Sequence, residues 1–320
     1  MNMKRDTLRI VFMGTPDFAV ATLKILVEHQ YNIVGVITAP DKPAGRGRKL
    51  NESAVKKYAI AEGLNVLQPT NLKNEEFIQE LKALKANLQV VVAFRMLPEI
   101  VWKMPKYGTF NLHASLLPNY RGAAPIHWAI INGETKTGVT TFFIDEKIDT
   151  GAMILQEEVS IEGNDTVGKL HDKLMTVGSD LVLKTVEQIQ SGIINTTLQP
   201  KNTSDLKTAH KLNKENCKID WHLELEDIYN KIRGLNPFPS AWCYLLNGED
   251  KLSVKLFDVV KEYDSHTLEQ GLLIISKNEL KVAVTGGYIQ IKEIQLPGKR
   301  KMDVKSLLNG YDFSVNAKML

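Results

Sequence analysis

Cysteine is scarce in this sequence: only Cys217 and Cys243 occur among its 320 residues. Two cysteines do not form the disulfide framework on which small secreted domains depend, and they exclude a cysteine-rich metal site. We interpret them as two reduced, buried thiols. This pattern is typical of a cytoplasmic protein, which is the location we expect.

Long hydrophobic runs and a strong net charge are missing as well. No apolar run approaches the roughly 20 residues that a transmembrane helix requires. The short run near the N-terminus is typical of a first strand rather than of a signal peptide, so we expect no membrane association. The formal net charge of +3 neither demands nor excludes a nucleic-acid partner. Any phosphate-binding surface must therefore come from a local cluster of cations.

The common nucleotide and metal motifs are absent too. The first strand–helix turn has one glycine, Gly14, where the dinucleotide fingerprint needs three, and no Gly-Lys-Ser/Thr phosphate loop follows. The seven histidines are scattered, and no pair has the i, i+4 spacing of a helical zinc site. We therefore expect no bound metal.

The hydrophobic pattern predicts two domains, as the length of the chain also suggests. Strand and helix patterns alternate over residues 1–190, which predicts an α/β domain with a mostly parallel sheet. Residues 191–210 are polar and carry few large apolar side chains, which is typical of a linker. Over residues 211–320, one helix pattern precedes several short alternating runs, which predict a small β-barrel or sandwich.

Two polar residues lie on a predicted strand, TFNLHAS, just before it ends. Asn111 and His113 are two residues apart, so their side chains project from the same face. Open parallel sheets bind ligands outside the carboxyl ends of their strands. Each residue alone fits a hydrogen-bonded core position. The pair, followed by a turn rich in proline and glycine, favours a functional site.

A carboxylate, Asp149, lies in the predicted turn DEKIDTG between two further strands. A solvated turn residue is the simpler interpretation. If the sheet brings this turn beside Asn111 and His113, the three groups suit acyl transfer to an amine. The amide can donate to a developing oxyanion and the imidazole can accept a proton. The carboxylate can hold the imidazole tautomer and stabilise its charged form. No serine or cysteine is placed as a nucleophile, so we favour direct transfer.

The segments HASLLPNYRGAAPI and GVTTFFIDEKIDTGAMI resemble the folate-dependent formyltransferases. The resemblance implies transfer of a formyl group from 10-formyltetrahydrofolate to an amine, with Asn111, His113 and Asp149 as catalytic residues. It implies a Rossmann-like formyltransferase domain at the N-terminus and an OB-like β-barrel domain at the C-terminus. The segment that it predicts to contact folate consists of Ser115, Leu116, Leu117 and Pro118.

Three further segments resemble the superfamily members that act on methionyl initiator tRNA. They are GTPDFAVATLKIL at 14–26, APDKPAGRGRKL at 39–50 and KIDWHLELEDIYNKIRGLNPFPSAW at 218–242. The resemblance implies that the C-terminal domain and the second segment contact tRNA. The cations of the second segment suit a phosphate backbone, although a solvated basic loop is the alternative interpretation. These cations are Lys42, Arg46, Arg48 and Lys49.

We therefore expect a monomeric, metal-free enzyme that formylates the α-amino group of methionyl initiator tRNA for translation initiation. A formyltransferase acting on a small amine, such as an amino sugar or a purine precursor, shares the catalytic trio. It has no need of the basic segment or the C-terminal barrel. An RNA-binding protein with a catalytically silent α/β domain is the alternative from another class. The intact trio and the SLLP segment argue against that alternative.

Overall fold

A computed structural model describes residues 7–44, 49–200 and 204–320. The chain forms two compact units. The first contains the residues up to Arg121, Gly138–Val159 and His171–Lys207, and the second contains Gly122–Thr137, Ser160–Leu170 and Thr208–Leu320. Two stretches of the expected N-terminal domain thus group with the second unit, and the domain boundaries expected from the sequence stay a prediction.

The first unit is built on a seven-stranded sheet with the strand order β10-β9-β7-β6-β1-β2-β5. The elements along the chain up to α6 are β1 (Arg9–Gly14), α1 (Asp17–Glu28), β2 (Asn32–Ile37), β3 (Lys42–Ala44), β4 (Lys49–Asn51), α2 (Ala54–Ala61), β5 (Val66–Leu67), α3 (Glu75–Ala83), β6 (Leu88–Val92), α4 (Glu99–Trp102), β7 (Thr109–His113), β8 (Arg121–Gly122), α5 (Pro125–Ile131), β9 (Lys136–Phe143), β10 (Met153–Ser160) and α6 (Val167–Ser191). Of these, α5 groups with the second unit. Strands β1, β2, β5, β6 and β7 run parallel, and β9 runs antiparallel to β7. The mostly parallel sheet predicted from the alternating pattern is confirmed.

The central strands of this sheet are apolar because both of their faces are covered. Every residue of β6 is buried, as its near-continuous apolar run predicts. The helices begin at residues that cap free backbone donors: the Ser53 hydroxyl accepts from the N–H of Lys56 in α2, and the Asn74 side chain accepts from the N–H of Phe77 in α3. These caps fix where the loops at the carboxyl edge of the sheet end.

The polar segment after α6 follows the surface of the first unit. Thr197 exchanges two backbone hydrogen bonds of 2.9 Å with Met153, at the start of β10. Farther along, the carbonyl of Lys207 accepts from the N–H of Tyr120 at 2.6 Å. The segment that composition alone predicts as a linker is therefore hydrogen-bonded to the start of β10 and to the loop between β7 and β8.

The second unit is mainly an antiparallel β structure that also contains helices. Its elements beyond α6 are β11 (Thr208–Ala209), α7 (Leu225–Leu235), β12 (Ala241–Asn247), β13 (Asp250–Leu256), β14 (Val259–Tyr263), β15 (Leu273–Ile275), β16 (Leu280–Val284), β17 (Gly287–Ile291), β18 (Glu293–Gln295), β19 (Met302–Asp303), α8 (Val304–Leu308) and β20 (Lys318–Met319). They form a five-stranded sheet, β19-β18-β13-β12-β20, and a four-stranded sheet, β14-β17-β16-β15. Ile228 and Ile232 of α7 join the shared apolar core of these sheets. The expected fold class, a mostly parallel α/β domain with a C-terminal β domain, is confirmed.

Both cysteines lie in this core, and we expect them to be unreactive in the folded protein. Burial raises the pKa of the Cys243 thiol to about 12, and burial also raises the pKa of Cys217. At pH 7.5, on the order of one Cys243 thiol in 10⁴ to 10⁵ is then ionised. A thiol-reactive dye should label neither residue in native protein, whereas unfolding in guanidinium should release two thiols per chain. A thiol that reacts rapidly in the native protein would contradict this packing.

None of the helices in the described ranges is both long enough and apolar enough to cross a membrane.

Candidate active site

Strand β7 carries two of the three predicted catalytic residues. Asn111 lies opposite Val91 of β6 on one side and Phe142 of β9 on the other. His113 ends the strand and is only 6% exposed. Because the two residues are separated by one position, both side chains leave the same face of the sheet.

The hydrogen bonding of His113 fixes its neutral tautomer. Its Nε2 lies 2.8 Å from the backbone carbonyl oxygen of Tyr120. A carbonyl only accepts, so Nε2 must carry the proton and donate it. In the neutral ring, Nδ1 then holds the free lone pair. Nδ1 is thus the atom of His113 that can accept a proton from a substrate.

The carbonyl of Tyr120 points at the imidazole because the backbone turns sharply there. Tyr120 has a φ of 60°, in the left-handed region that non-glycine residues rarely occupy. Its N–H donates to Lys207, and its side chain is buried. These contacts hold a conformation that the local sequence alone would not favour.

The loop between β9 and β10 brings Asp149 to His113. This loop leaves the sheet beside Thr109, whose carbonyl accepts from the N–H of Ile144 at 2.9 Å. Asp149 Oδ2 nevertheless lies 3.8 Å from His113 Nδ1, four residues farther along β7. Four residues of strand span roughly 13 Å, so the loop folds back along the face of the sheet.

Two backbone features allow this loop to fold back. Asp149 has a φ of 55°, which aspartate tolerates better than most residues. A side chain at Gly151 would overlap the carbonyl oxygen of Phe143, so only glycine permits this close approach. The glycine of the sequence Asp-Thr-Gly is therefore required sterically, and the aspartate supplies the carboxylate near His113.

The observed geometry corrects the role that the sequence suggested for Asp149. A separation of 3.8 Å is too long for a hydrogen bond, so the carboxylate does not set the imidazole tautomer. The Tyr120 carbonyl does so instead. What stays with Asp149 is electrostatic: its carboxylate faces the ring nitrogen that becomes charged when it takes a proton.

The amide of Asn111 has an unsatisfied polar atom. Its Oδ1 position is buried and has no hydrogen-bond partner among the described residues. Since amide oxygen and nitrogen differ only in assignment, either end of this group can face a ligand. A buried polar atom without a protein partner is costly to maintain, and a bound substrate would satisfy it.

The backbone of the segment Ser115–Pro118 is hydrogen-bonded to side chains of β9 and β10. The Thr140 hydroxyl donates to the Ser115 carbonyl at 2.6 Å and accepts from the Leu117 N–H at 3.1 Å. Gln156 donates to the Leu117 carbonyl at 2.8 Å. Ser115 is fully buried and its hydroxyl donates to Asn119, whereas Leu116 and Pro118 are partly exposed.

A residue that sequence reasoning missed, Gln199, joins the site from the polar segment after α6. Its side-chain amide donates to the carbonyls of Asp149 at 3.0 Å and Gly151 at 2.8 Å. Its oxygen accepts from Arg121 Nε at 3.0 Å and Nη2 at 2.6 Å. Composition gave no signal for this residue, because it lies in a stretch that is typical of a linker.

Two of the residues expected to contact tRNA, Lys42 and Lys49, lie on a short hairpin. Lys42 begins β3 and Lys49 begins β4, and the two strands pair antiparallel with Lys42 opposite Asn51. Lys42 is exposed. Arg46 and Arg48 lie outside the described residues.

One lysine forms ion pairs with residues at both ends of this hairpin. Lys56 of α2 forms ion pairs with Asp41, just before β3, and with Glu52, just after β4, the latter at 2.8 Å. The Lys56 hydrogen bond is the main reason that the pKa of Asp41 is lowered. Gln68 adds a hydrogen bond of 2.8 Å to Asp41. The hairpin therefore starts from a fixed base.

No group of three or more His, Cys, Asp or Glu side chains within residues 7–44, 49–200 and 204–320 is arranged to hold a metal ion.

Comparisons with known proteins decide the family. The Formyl transferase family model matches residues 8–186, and the model of the Formyl transferase C-terminal domain matches residues 211–312. The methionyl-tRNA formyltransferase of Flavobacterium johnsoniae is 60% identical over 314 residues, which cover 98% of this chain and 99% of that protein. The chain belongs to the methionyl-tRNA formyltransferase family. Its namesake from Bacteroides thetaiotaomicron is 51% identical over 325 residues, with 99% of this chain and 100% of that protein covered.

Solved structures share the fold of this family member. WlaRD, a sugar 3N-formyl transferase in the presence of dTDP and 5-N-formyl-THF, aligns with a TM-score of 0.64 at 20% identity, covering 92% of this chain and 99% of its own. HypX from Aquifex aeolicus in complex with tetrahydrofolic acid aligns with a TM-score of 0.65 at 18% identity, covering 97% of this chain and 47% of its own. At such identities, the likeness shows the fold alone.

Proposed function

We propose that this protein transfers the formyl group of 10-formyltetrahydrofolate to the α-amino group of methionyl initiator tRNA, with Asn111, His113 and Asp149 as its catalytic residues. Family membership, with 60% identity to the Flavobacterium johnsoniae enzyme over 98% of this chain, supports the reaction. The observation that supports the site is the convergence of the three groups on one face of the sheet. His113 Nδ1 has a free lone pair, Asp149 faces it at 3.8 Å, and the Asn111 amide has an unpaired atom among the described residues.

The three groups divide the work of the reaction. The acceptor amine attacks the formyl carbon, a new C–N bond forms, and the bond from that carbon to the leaving nitrogen of the folate breaks. One proton passes overall from the amine to that leaving nitrogen, and His113 Nδ1 is placed to carry it. Asp149 stabilises the imidazolium while His113 holds the proton. The Asn111 amide donates to the formyl oxygen as negative charge develops there.

The folate co-substrate suits the segment beside this trio. Leu116 and Pro118 offer partly exposed apolar surface, while Ser115 and Leu117 are turned inward. We assign the four residues to folate binding, with Ser115 acting through its backbone because its hydroxyl is already bonded to Asn119. The groups present supply proton transfer and oxyanion stabilisation without calling on a metal ion, so we propose a metal-free reaction.

The hairpin of β3 and β4 is the element that we assign to tRNA, through Lys42, Arg46, Arg48 and Lys49. Four cations within eight residues suit a phosphate backbone. An acceptor as small as an amino sugar would not need them. We also assign tRNA contacts to the C-terminal β domain.

Loosening the base of the hairpin should weaken tRNA binding and leave the chemistry intact. In Lys56→Met, the ion pairs to Asp41 and Glu52 are lost. We expect the KM for tRNA to rise by about 3- to 10-fold with kcat nearly unchanged, since the lost interaction acts equally on bound substrate and transition state. Steady-state kinetics with varied tRNA check this. Lys82→Met, which removes an exposed charge on α3, is the control and should behave as wild type; equal KM values for the Lys56 variant and wild type would contradict the role.

The decisive experiment compares acceptors. Purified protein is incubated with 10-formyltetrahydrofolate and charged methionyl initiator tRNA, free methionine or an amino-sugar nucleotide. We expect rapid formylation of the tRNA alone. Transfer to a small amine alone would support the role of the catalytic trio and would contradict tRNA as the acceptor. Folate binding without transfer to any acceptor would contradict the assignment of Asn111, His113 and Asp149 as catalytic residues.

A further inference from the structure

The side chain of Gln199 is hydrogen-bonded to three residues at the candidate site: Arg121, Asp149 and Gly151. Its oxygen lies between Nε and Nη2 of Arg121, at 3.0 and 2.6 Å. Its nitrogen lies 3.0 Å from the Asp149 carbonyl and 2.8 Å from the Gly151 carbonyl. Four hydrogen bonds from one partly exposed amide make a clamp, which we define as Gln199 with Arg121.

The orientation of this amide follows from its neighbours. A guanidinium has donors only, so the Gln199 atom that faces Arg121 must be oxygen. The two backbone carbonyls accept only, so the atom that faces them must be nitrogen. A flipped amide would lose all four bonds. The clamp therefore holds the loop in one arrangement.

The carbonyls that Gln199 binds are those of Asp149 and of the residue two positions later. Asp149 is in the left-handed region, with a φ of 55°, and Gly151 touches the backbone of Phe143. Fixing both carbonyls sets the direction in which the Asp149 side chain leaves the loop. The distance from Asp149 Oδ2 to His113 Nδ1 depends on that direction, and the attraction between the charges falls as the distance grows.

We propose that Gln199, oriented by Arg121, is a positioning residue for formyl transfer, because it holds the loop that aims the Asp149 carboxylate at His113. This inference rests on the proposed function. Gln199 lies between the two stretches that the family models match, 8–186 and 211–312, in the segment predicted as a linker. The segment thus contributes to the catalytic site and does more than connect two domains.

Gln199→Glu is the sharpest test, because it preserves size and the contact with Arg121 yet replaces the amide donor by an oxygen. That oxygen would face two carbonyls, so the loop must move. We expect kcat to fall by about 10- to 100-fold, the effect of a catalytic group displaced by up to ~1 Å, with the KM values for folate and tRNA within about two-fold of wild type. Gln199→Met, which adds no charge, should lose activity in the same way.

Two comparisons separate positioning from a general structural effect. Asn195→Ala changes an exposed amide of the same segment and should match wild type. Arg121→Met should lower kcat much as Gln199→Met does, and the double variant should be little worse than either one, since both changes break one unit. Additive losses would overturn the clamp. A raised KM with wild-type kcat would also overturn it, because Gln199 would then bind substrate.

A readout without substrate keeps this inference distinct from the proposed function. Backbone amides of residues 144–152 should exchange hydrogen faster in Gln199→Met than in wild type or Asn195→Ala, as mass spectrometry of the corresponding peptide would report. Wild-type protein that formylates no acceptor would overturn the proposed function, whereas unchanged exchange would overturn the clamp. Active wild type with kcat within two-fold in both Gln199 variants would overturn the positioning role alone.

Discussion

Replacing His113 by glutamine should lower kcat for formyl transfer by about 10²- to 10⁴-fold, the usual contribution of a positioned general base. The glutamine amide nitrogen lies about where Nε2 lies in histidine, so it can still donate to the Tyr120 carbonyl and the local fold is preserved. No atom then remains at the Nδ1 position to accept a proton. Single-turnover assays with saturating folate and tRNA would measure the chemical step directly.

The control for this variant is His29→Gln, at a partly exposed histidine that ends α1. It should retain wild-type turnover. Thermal melting should show His113→Gln folded, because the lost ring is replaced by an amide that keeps the hydrogen bond to the Tyr120 carbonyl. A His113 variant that turns over within ten-fold of wild type would rule out proton transfer by this residue.

The residues to which we assign the chemistry stand out in the sequence, because each has a side chain suited to the proposed role. Asn111 and His113 share a strand face by period alone, and the apolar runs around them predict the sheet that positions them. Asp149 was predicted from the turn between two strands. The antiparallel pairing of β7 and β9 then determines how far its loop must fold back to reach His113.

The groups that tune these residues could not be predicted in the same way. The tautomer of His113 is set by the backbone carbonyl of Tyr120. Every residue has such a carbonyl, so the residue types in the sequence do not show which one faces the imidazole. Gln199 is an ordinary polar residue in a polar stretch, and its meaning comes from contacts with residues 78 and 50 positions away. Long-range polar contacts of this kind follow from the completed fold, not from local pattern.

The site also holds backbone conformations that cost free energy. Tyr120 and Asp149 both have positive φ, at 60° and 55°. Such conformations cost on the order of 1–3 kcal/mol each in non-glycine residues and persist where the surroundings over-determine them. Here the surroundings are the polar segment after α6, which binds Tyr120 through Lys207 and the Asp149 loop through Gln199. One segment therefore stabilises the two strained turns on either side of His113.

Asn111→Ala should lower kcat by about 10²- to 10³-fold, which corresponds to ~2.7–4 kcal/mol of lost stabilisation of the oxyanion. The KM for folate should change little, because the amide acts on charge that develops only after binding. The buried amide atom without a partner among the described residues is the physical basis of this expectation. Rapid-quench measurements at saturating substrates would isolate the chemical step.

Asn111→Asp distinguishes this role from simple packing. The carboxylate has nearly the same shape as the amide, so the fold should be retained. It places negative charge where the formyl oxygen becomes anionic, so turnover should fall at least as far as in Asn111→Ala. If Asn111 only fills space, the aspartate variant should be the more active of the two. If it only binds folate, both variants should lose folate affinity while their kcat stays at the wild-type value, since an oxyanion donor and a ground-state contact differ in which parameter they change.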